Sequence, residues 1–272
     1  MLTEKVLITV KTYPVLSETY DELVCTAGLR EDGSWIRLYP IQFRQIEDYE
    51  KKYKKWEWIE IEVEKNKSDH RVESFRPIKQ DSIKVLKRIG TEQGWYERKK
   101  LILENSTIYR DLSELIQKNK EGLLSLATFS PVKILDLVVE EIEREWDKSK
   151  IELLKAKLLQ GDLFNKEKKP FKIVDKLPYK FSYKIEDVNG KESKMMIEDW
   201  ELGALYWKSY NKYKDEQIAI EKVKEKYLTN FLAKNDIYLF LGTTKLWDKR
   251  APNPFVIIGV FYPPKEYQKS LF

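Results

Sequence analysis

Apolar residues recur at every second position in short stretches through the first third of the chain. Residues 5–10 (Lys-Val-Leu-Ile-Thr-Val) form an apolar run that Thr12-Tyr13-Pro14 ends. Residues 23–29 and 35–41 read as two strands meeting across the turn Glu31-Asp32-Gly33-Ser34. Residues 58–63 set Ile59, Ile61 and Val63 against Glu60, Glu62 and Glu64, the alternation of a half-buried strand. The pattern then lengthens to a helical period. Helices are expected near residues 95–103 and 110–118, a strand over 132–139, and a short amphipathic helix over 151–159.

The lysine-rich run at 165–170 reads as a linker. Beyond it, residues 181–187 and 191–197 form a hairpin turned at Asn189-Gly190, a dipeptide suited to a two-residue turn. Helices over 200–210 and 216–232 follow, the second with Ile218, Ile220, Val223 and Tyr227 along one side. Strands at 237–241 and 255–261 close the chain before Pro263-Pro264. These elements predict an α+β protein. A small OB-like β-barrel domain with a helical insert spans 1–164, and a mixed α/β domain of one hairpin, two helices and two strands spans 171–272.

Composition narrows the chemistry. With 272 residues, 42% hydrophobic and 35% charged, the chain can bury a core without disulfides. No apolar run approaches the roughly 18 residues of a membrane span, and Met1-Leu2-Thr3-Glu4-Lys5 leads straight into a strand rather than a signal peptide. A cytoplasmic protein with no membrane partner is expected. Cys25 is the only cysteine and sits in core-like company, and His70 is the only histidine, in a polar stretch expected to be a solvated loop. Nucleophilic triads, Walker loops and Rossmann glycine patterns are missing, so histidine, thiol and P-loop chemistry are set aside. The surplus of 50 basic over 45 acidic groups permits nucleic-acid binding without requiring it. Eight tryptophans and sixteen tyrosines supply faces on which bases could stack.

Three constellations are candidates. Pairing the 23–29 and 35–41 strands across a four-residue loop sets Leu29 opposite Ile36, Gly28 opposite Arg37 and Ala27 opposite Leu38. That register puts Arg30, Trp35, Arg37 and Tyr39 on one aromatic and basic face, which Arg44 and Arg76 extend. Such a face is either a stacking platform for single-stranded nucleic acid or a surface packed under another element. The second is Asp199-Trp200-Glu201. Asp199 suits a helix N-cap, and the two carboxylates, joined by Asp236, Glu192 or Lys194, would make a nuclease or phosphoesterase centre using magnesium or manganese. The third is Lys245 in the loop Gly242-Thr243-Thr244-Lys245, an anion-binding edge or an ordinary connection.

The motifs Trp35-Ile36-Arg37-Leu38-Tyr39-Pro40, Asp199-Trp200-Glu201 and Ile257-Ile258-Gly259-Val260-Phe261-Tyr262-Pro263-Pro264 resemble a family of bacterial hypothetical proteins over nearly the full length. Cys25-Thr26-Ala27-Gly28 followed by Trp35-Ile36-Arg37 is similar to the start of dual OB-fold domains in prokaryotic conflict and nucleic-acid-processing systems. The resemblance implies phage-defence or mobile-element contexts. It also implies a Cys/Cys/His zinc knuckle ahead of Asp-Trp-Glu, from which residues 186–193 depart, so no metal is expected there. The reading is a nucleic-acid or nucleotide-binding component of such a system, with a metal-dependent nuclease at Asp199 and Glu201, or a non-catalytic subunit contacting other proteins, as the alternatives.

Overall fold

The computed structural model of the protein describes residues 2–16, 22–42, 53–79, 83–149, 151–152 and 174–265. Arg44, the 165–170 linker and most of the 151–159 helix lie outside the described residues.

Strands β1 (Leu2–Lys11), β2 (Val15–Leu16), β3 (Glu22–Leu29), β4 (Trp35–Gln42), β5 (Glu57–Lys65), β6 (Ser74–Pro77) and β7 (Lys84–Arg88) form the first sheet. Its order runs β1-β3-β4-β6-β5, and β5 returns to pair with β1, so the sheet closes into a five-stranded barrel. Counted along the chain, the barrel strands close in the order 1-2-3-5-4, with β4 and β6 parallel and every other barrel pair antiparallel. Closure leaves these strands no free edge. The alternation seen in the sequence sorts the residues: Val6, Ile8, Ile36, Leu38, Ile59, Ile61 and Val63 fill the interior. Glu60 and Glu64 stay outside, paired with Lys84 and Arg76.

The segment after the barrel carries β8 (Ile108–Tyr109), β9 (Leu126–Phe129), β10 (Lys133–Glu141), β11 (Tyr179–Glu186), β12 (Glu192–Met196), β13 (Tyr238–Thr243) and β14 (Phe255–Phe261). They form a four-stranded sheet, β14-β13-β9-β8, and a three-stranded one, β10-β11-β12. Thus β9 and β10, expected to belong with the N-terminal part, pair with β13 and β11. The helices are α1 (Glu92–Lys99), α2 (Leu112–Lys120), α3 (Trp200–Tyr213) and α4 (Glu216–Lys224), the last continuing through a wide turn to Lys234. Asp111, Asp199 and Asp215 cap three of them through side-chain bonds to first-turn N–H groups, as acidic Ncap residues do. The architecture is the expected α+β one, a small barrel followed by mixed helices and sheets. No helix among the described residues is long and apolar enough to cross a membrane.

Both hairpins close on three-residue loops, which corrects the expected register. In the first, Arg30 N–H donates to Ser34 O at 2.9 Å and Gly33 N–H to Arg30 O at 3.1 Å, with Gly33 at φ +80°. A turn that ends on one left-handed residue favours glycine there. The loop is therefore 31–33, and the strands slip by one residue: Leu29 faces Trp35, Gly28 faces Ile36 and Ala27 faces Arg37. The second hairpin repeats this, with Asp187 pairing Lys191 and Gly190 at φ +75°.

The slip decides what β4 does. Trp35 and Arg37 share a face with Leu29 and Ala27, and that face forms the seam between the barrel and the four-stranded sheet. Leu7, Val10, Ala27 and Leu29 pack there on Leu126, Phe240, Ile258 and Phe261. Both faces of β4 are thus occupied, one by the barrel interior and one by the seam.

A cleft lined by tryptophan, arginine and lysine

Residues 54–57 turn the chain into β5, and this turn builds one wall of a cleft of about 480 Å³. Trp56 sits in it at φ +69°, a conformation rare for a bulky side chain. Its backbone is pinned from both sides, Trp56 N–H donating to Ile8 O at 2.6 Å and Ile89 N–H donating to Trp56 O at 2.7 Å. Opposite, Gln93, Gly94 and Trp95 are also left-handed, with Trp95 at φ +67°. Two left-handed tryptophans thus flank one cleft.

Between them lies Arg98. Its guanidinium carbon is 4.4 Å from the Trp56 ring centroid and 4.9 Å from that of Trp95, a double cation–π contact. Nε and Nη2 both donate to Ile89 O, at 3.2 and 2.9 Å. Burial lowers the Arg98 pKa to about 10, which leaves it charged at neutral pH. Lys54 and Arg88 add exposed cations to the rim, and neither side chain makes an ion pair among the described residues. Tyr262 and Trp200 extend the aromatic lining.

Glu201 lines the cleft, and Asp199, buried, is joined to it through Lys55. Lys55 Nζ is 3.2 Å from Asp199 Oδ2 and 3.4 Å from Glu201 Oε2. Burial opposes the Lys55 charge, but the two carboxylates outweigh it and push its pKa up. Asp199 also accepts from Glu201 N–H at 3.0 Å and Val260 N–H at 3.2 Å, so its carboxylate is taken up by the helix cap, β14 and Lys55. Glu201 is different: Lys55 holds its pKa down, and its side chain remains 37% exposed to the cleft. The expected companions are elsewhere. Glu192 pairs with Lys184, Lys194 with Glu140, and Asp236 binds through its backbone to Pro263. Among the described residues no group of three or more His, Cys, Asp and Glu is placed to hold a metal ion.

The β3–β4 residues do not share one open face. Arg37 is 1% exposed and donates to Ser125 Oγ at 2.7 Å and Ser125 O at 3.2 Å, so it belongs to the seam. Desolvation lowers its pKa. Tyr39 is half-buried, with the Arg71 guanidinium over its ring. Trp35 meets Phe240 edge-on. Arg30 is ion-paired to Glu4 at 2.8 Å; with Trp35 it lines a second groove of about 430 Å³. Arg76 is exposed and bound to Glu64. Lys245 is exposed in its loop beside Leu246 and Trp247. His70 is exposed between the buried Asp69 and Arg71, its Nε2 2.9 Å from Asp248 Oδ2, and Cys25 is a half-buried free thiol.

Sequence reasoning singled out Asp199 and Glu201 but not the cations and rings around them. The signal was the run Lys51-Lys52-Tyr53-Lys54-Lys55-Trp56-Glu57-Trp58, which interleaves basic and aromatic residues, and its echo Trp95-Tyr96-Glu97-Arg98.

No curated protein matches the chain. Residues 2–104, the barrel with α1, match a family described as Domain of unknown function (DUF8758). Residues 105–272, well over half of the chain, match the model of a second family, and the protein belongs to that family, Domain of unknown function (DUF8757).

Proposed function

We propose that the protein binds a nucleotide or a nucleic-acid strand in the cleft between its barrel and its C-terminal part. One observation carries the reading: an arginine whose guanidinium carbon lies within 5 Å of two tryptophan rings, in a cleft with exposed cations at its rim. Aromatic faces and guanidinium planes stack on bases whatever their sequence, and lysine or arginine at the rim takes phosphate. Five-stranded barrels of the OB type use the same combination of groove and aromatic ring. The left-handed backbone of Trp56 and Trp95 supports the reading, because conformations costing about 1–3 kcal/mol each persist mainly at ligand clamps and active sites. The resemblance to proteins of prokaryotic conflict systems suggests that such binding serves a larger defence or mobile-element assembly.

Titration of the intrinsic tryptophan fluorescence with a single-stranded oligonucleotide and with mononucleotides tests this. Binding should weaken steeply with salt. The double variant Lys54→Ala/Arg88→Ala, at exposed positions, should weaken it at least tenfold and flatten the salt slope by about one per lost phosphate contact, with melting unchanged. No binding of either ligand, or binding indifferent to salt and to both substitutions, would refute the reading and favour a subunit that contacts only proteins.

A further inference from the structure

The polar lining of the cleft is not uniformly cationic, and the exception says what the ligand must look like. Lys11 Nζ donates to Tyr53 O at 2.5 Å, and Lys55 is committed to Asp199 and Glu201. Phosphate recognition therefore falls to Arg88 and Lys54 at the rim, with Arg98 behind them. Glu201, by contrast, presents a carboxylate to the cleft. An ionised carboxylate only accepts hydrogen bonds and repels phosphate, so a polyanion without donors is a poor match for this end.

Resting on the nucleotide-binding reading, we infer that the cleft recognises a single nucleotide, free or at the end of a strand, through a hydrogen-bond donor that it offers to Glu201. Three features converge on this class. The rim cations suit a phosphate, the tryptophans suit a flat base, and Glu201 suits a neutral N–H or O–H. A volume of about 480 Å³ lies within the range of pockets that enclose one small molecule and cannot admit a duplex. In an adenosine nucleotide the donors of this kind are the ribose 2′- and 3′-hydroxyls and the exocyclic amine. Carboxylates take both kinds of donor in nucleotide sites.

The probes are AMP, its 2′,3′-dideoxy analogue, purine riboside 5′-monophosphate and inorganic tripolyphosphate, measured by calorimetry on wild-type protein and on Glu201→Gln. AMP should bind best. If the ribose is the donor, the dideoxy analogue should bind at least tenfold more weakly; if the amine is, purine riboside 5′-monophosphate should, because a charged acceptor then loses the donor the ligand brings. Tripolyphosphate should be weaker than AMP. Glu201→Gln should reduce the discrimination to less than threefold, and an unchanged melting temperature checks that it folds. Equal binding of AMP, its dideoxy analogue and purine riboside 5′-monophosphate by wild-type protein would overturn the inference and leave the nucleotide reading standing, as would oligonucleotide binding that is indifferent to the terminal nucleotide with no mononucleotide binding at all. Absence of binding by every nucleotide and oligonucleotide would remove both.

Discussion

The ammonium of Lys55 lies 3.2 Å from the Asp199 carboxylate, and the two residues come from opposite sides of the seam, one from the turn into β5 and one from the cap of α3. Their side chains are 8% and 1% exposed. Neighbouring backbone bonds fix the same junction: Tyr13 N–H donates to Glu198 O and Glu198 N–H to Ile257 O, both at 2.8 Å. The pair fastens the barrel, α3 and β14 to one another, beneath the cleft.

Removing one half of a buried ion pair costs about 3–5 kcal/mol where the remaining charge is left alone, and Glu201, 3.4 Å from Lys55, keeps the cost at the lower end of that range here. Asp199→Ala should lose that much, including about 1 kcal/mol for the helix cap. Lys55→Met in the Asp199→Ala background should recover part of it. Urea unfolding of wild type, both single variants and the double variant gives the coupling energy; additive losses would show that the pair does not act as a unit.

Arg37 gives a second test, because its position is fixed by the three-residue loop rather than by its type. An exposed Arg37 could be truncated freely. Buried, with bonds to Ser125 Oγ and Ser125 O, it cannot be, and Arg37→Ala should cost roughly 2–4 kcal/mol through lost charged hydrogen bonds and a cavity in the seam. Arg76→Ala, at an exposed pair with Glu64, should change stability by no more than about 0.5 kcal/mol. Thermal or urea unfolding separates the two.

The contrast between these arginines shows where sequence pattern stops. Period-two alternation located four of the five barrel strands, all but β6, and the interior face of β5, because Ile59, Ile61 and Val63 can face only one way. It could not fix the β3–β4 register, since a loop of three residues and one of four differ by a single residue and reverse which neighbours share a face. Nor could it show that the outer face of β4 is covered, because Phe240 and Ser125 arrive from far along the chain. The candidate site was half legible. Asp199 and Glu201 stood out as a capped helix start, but the partner Lys55 and the rings of Trp56 and Trp95 meet them only through the seam.

Lys214 ends α3 in the left-handed conformation, φ +55° and ψ +29°, where glycine carries no steric penalty. It is exposed, and its side chain makes one long hydrogen bond, to Asn211 at 3.4 Å, and lies 5.8 Å from the Tyr210 ring centroid. Lys214→Gly should therefore stabilise the protein by about 0.5–1 kcal/mol, less the small loss of those two contacts. A lower melting temperature would mean that the Lys214 side chain contributes more than its backbone costs.

Glu198 precedes the cap, and the docking of its backbone on Tyr13 and Ile257 carries the carboxyl into a poorly hydrated position. Burial raises its pKa to about 7. The folded state therefore binds more protons than the unfolded state between the ordinary glutamate range near pH 4.5 and about pH 7. Stability must then fall with rising pH across that window, since its slope follows protons bound unfolded minus protons bound folded. Allowing for the partial exposure of the side chain, the loss above pH 7 should be on the order of 1–2 kcal/mol. Glu198→Gln keeps the shape and cannot ionise. Its stability relative to wild type should rise between pH 5 and pH 8 and level off beyond, whereas carboxylates that titrate at lower pH contribute equally to both proteins and cancel. Urea unfolding of the two at pH 5, 6, 7 and 8 measures the difference, and a flat difference across that series would mean that Glu198 is ionised and hydrated in the folded protein.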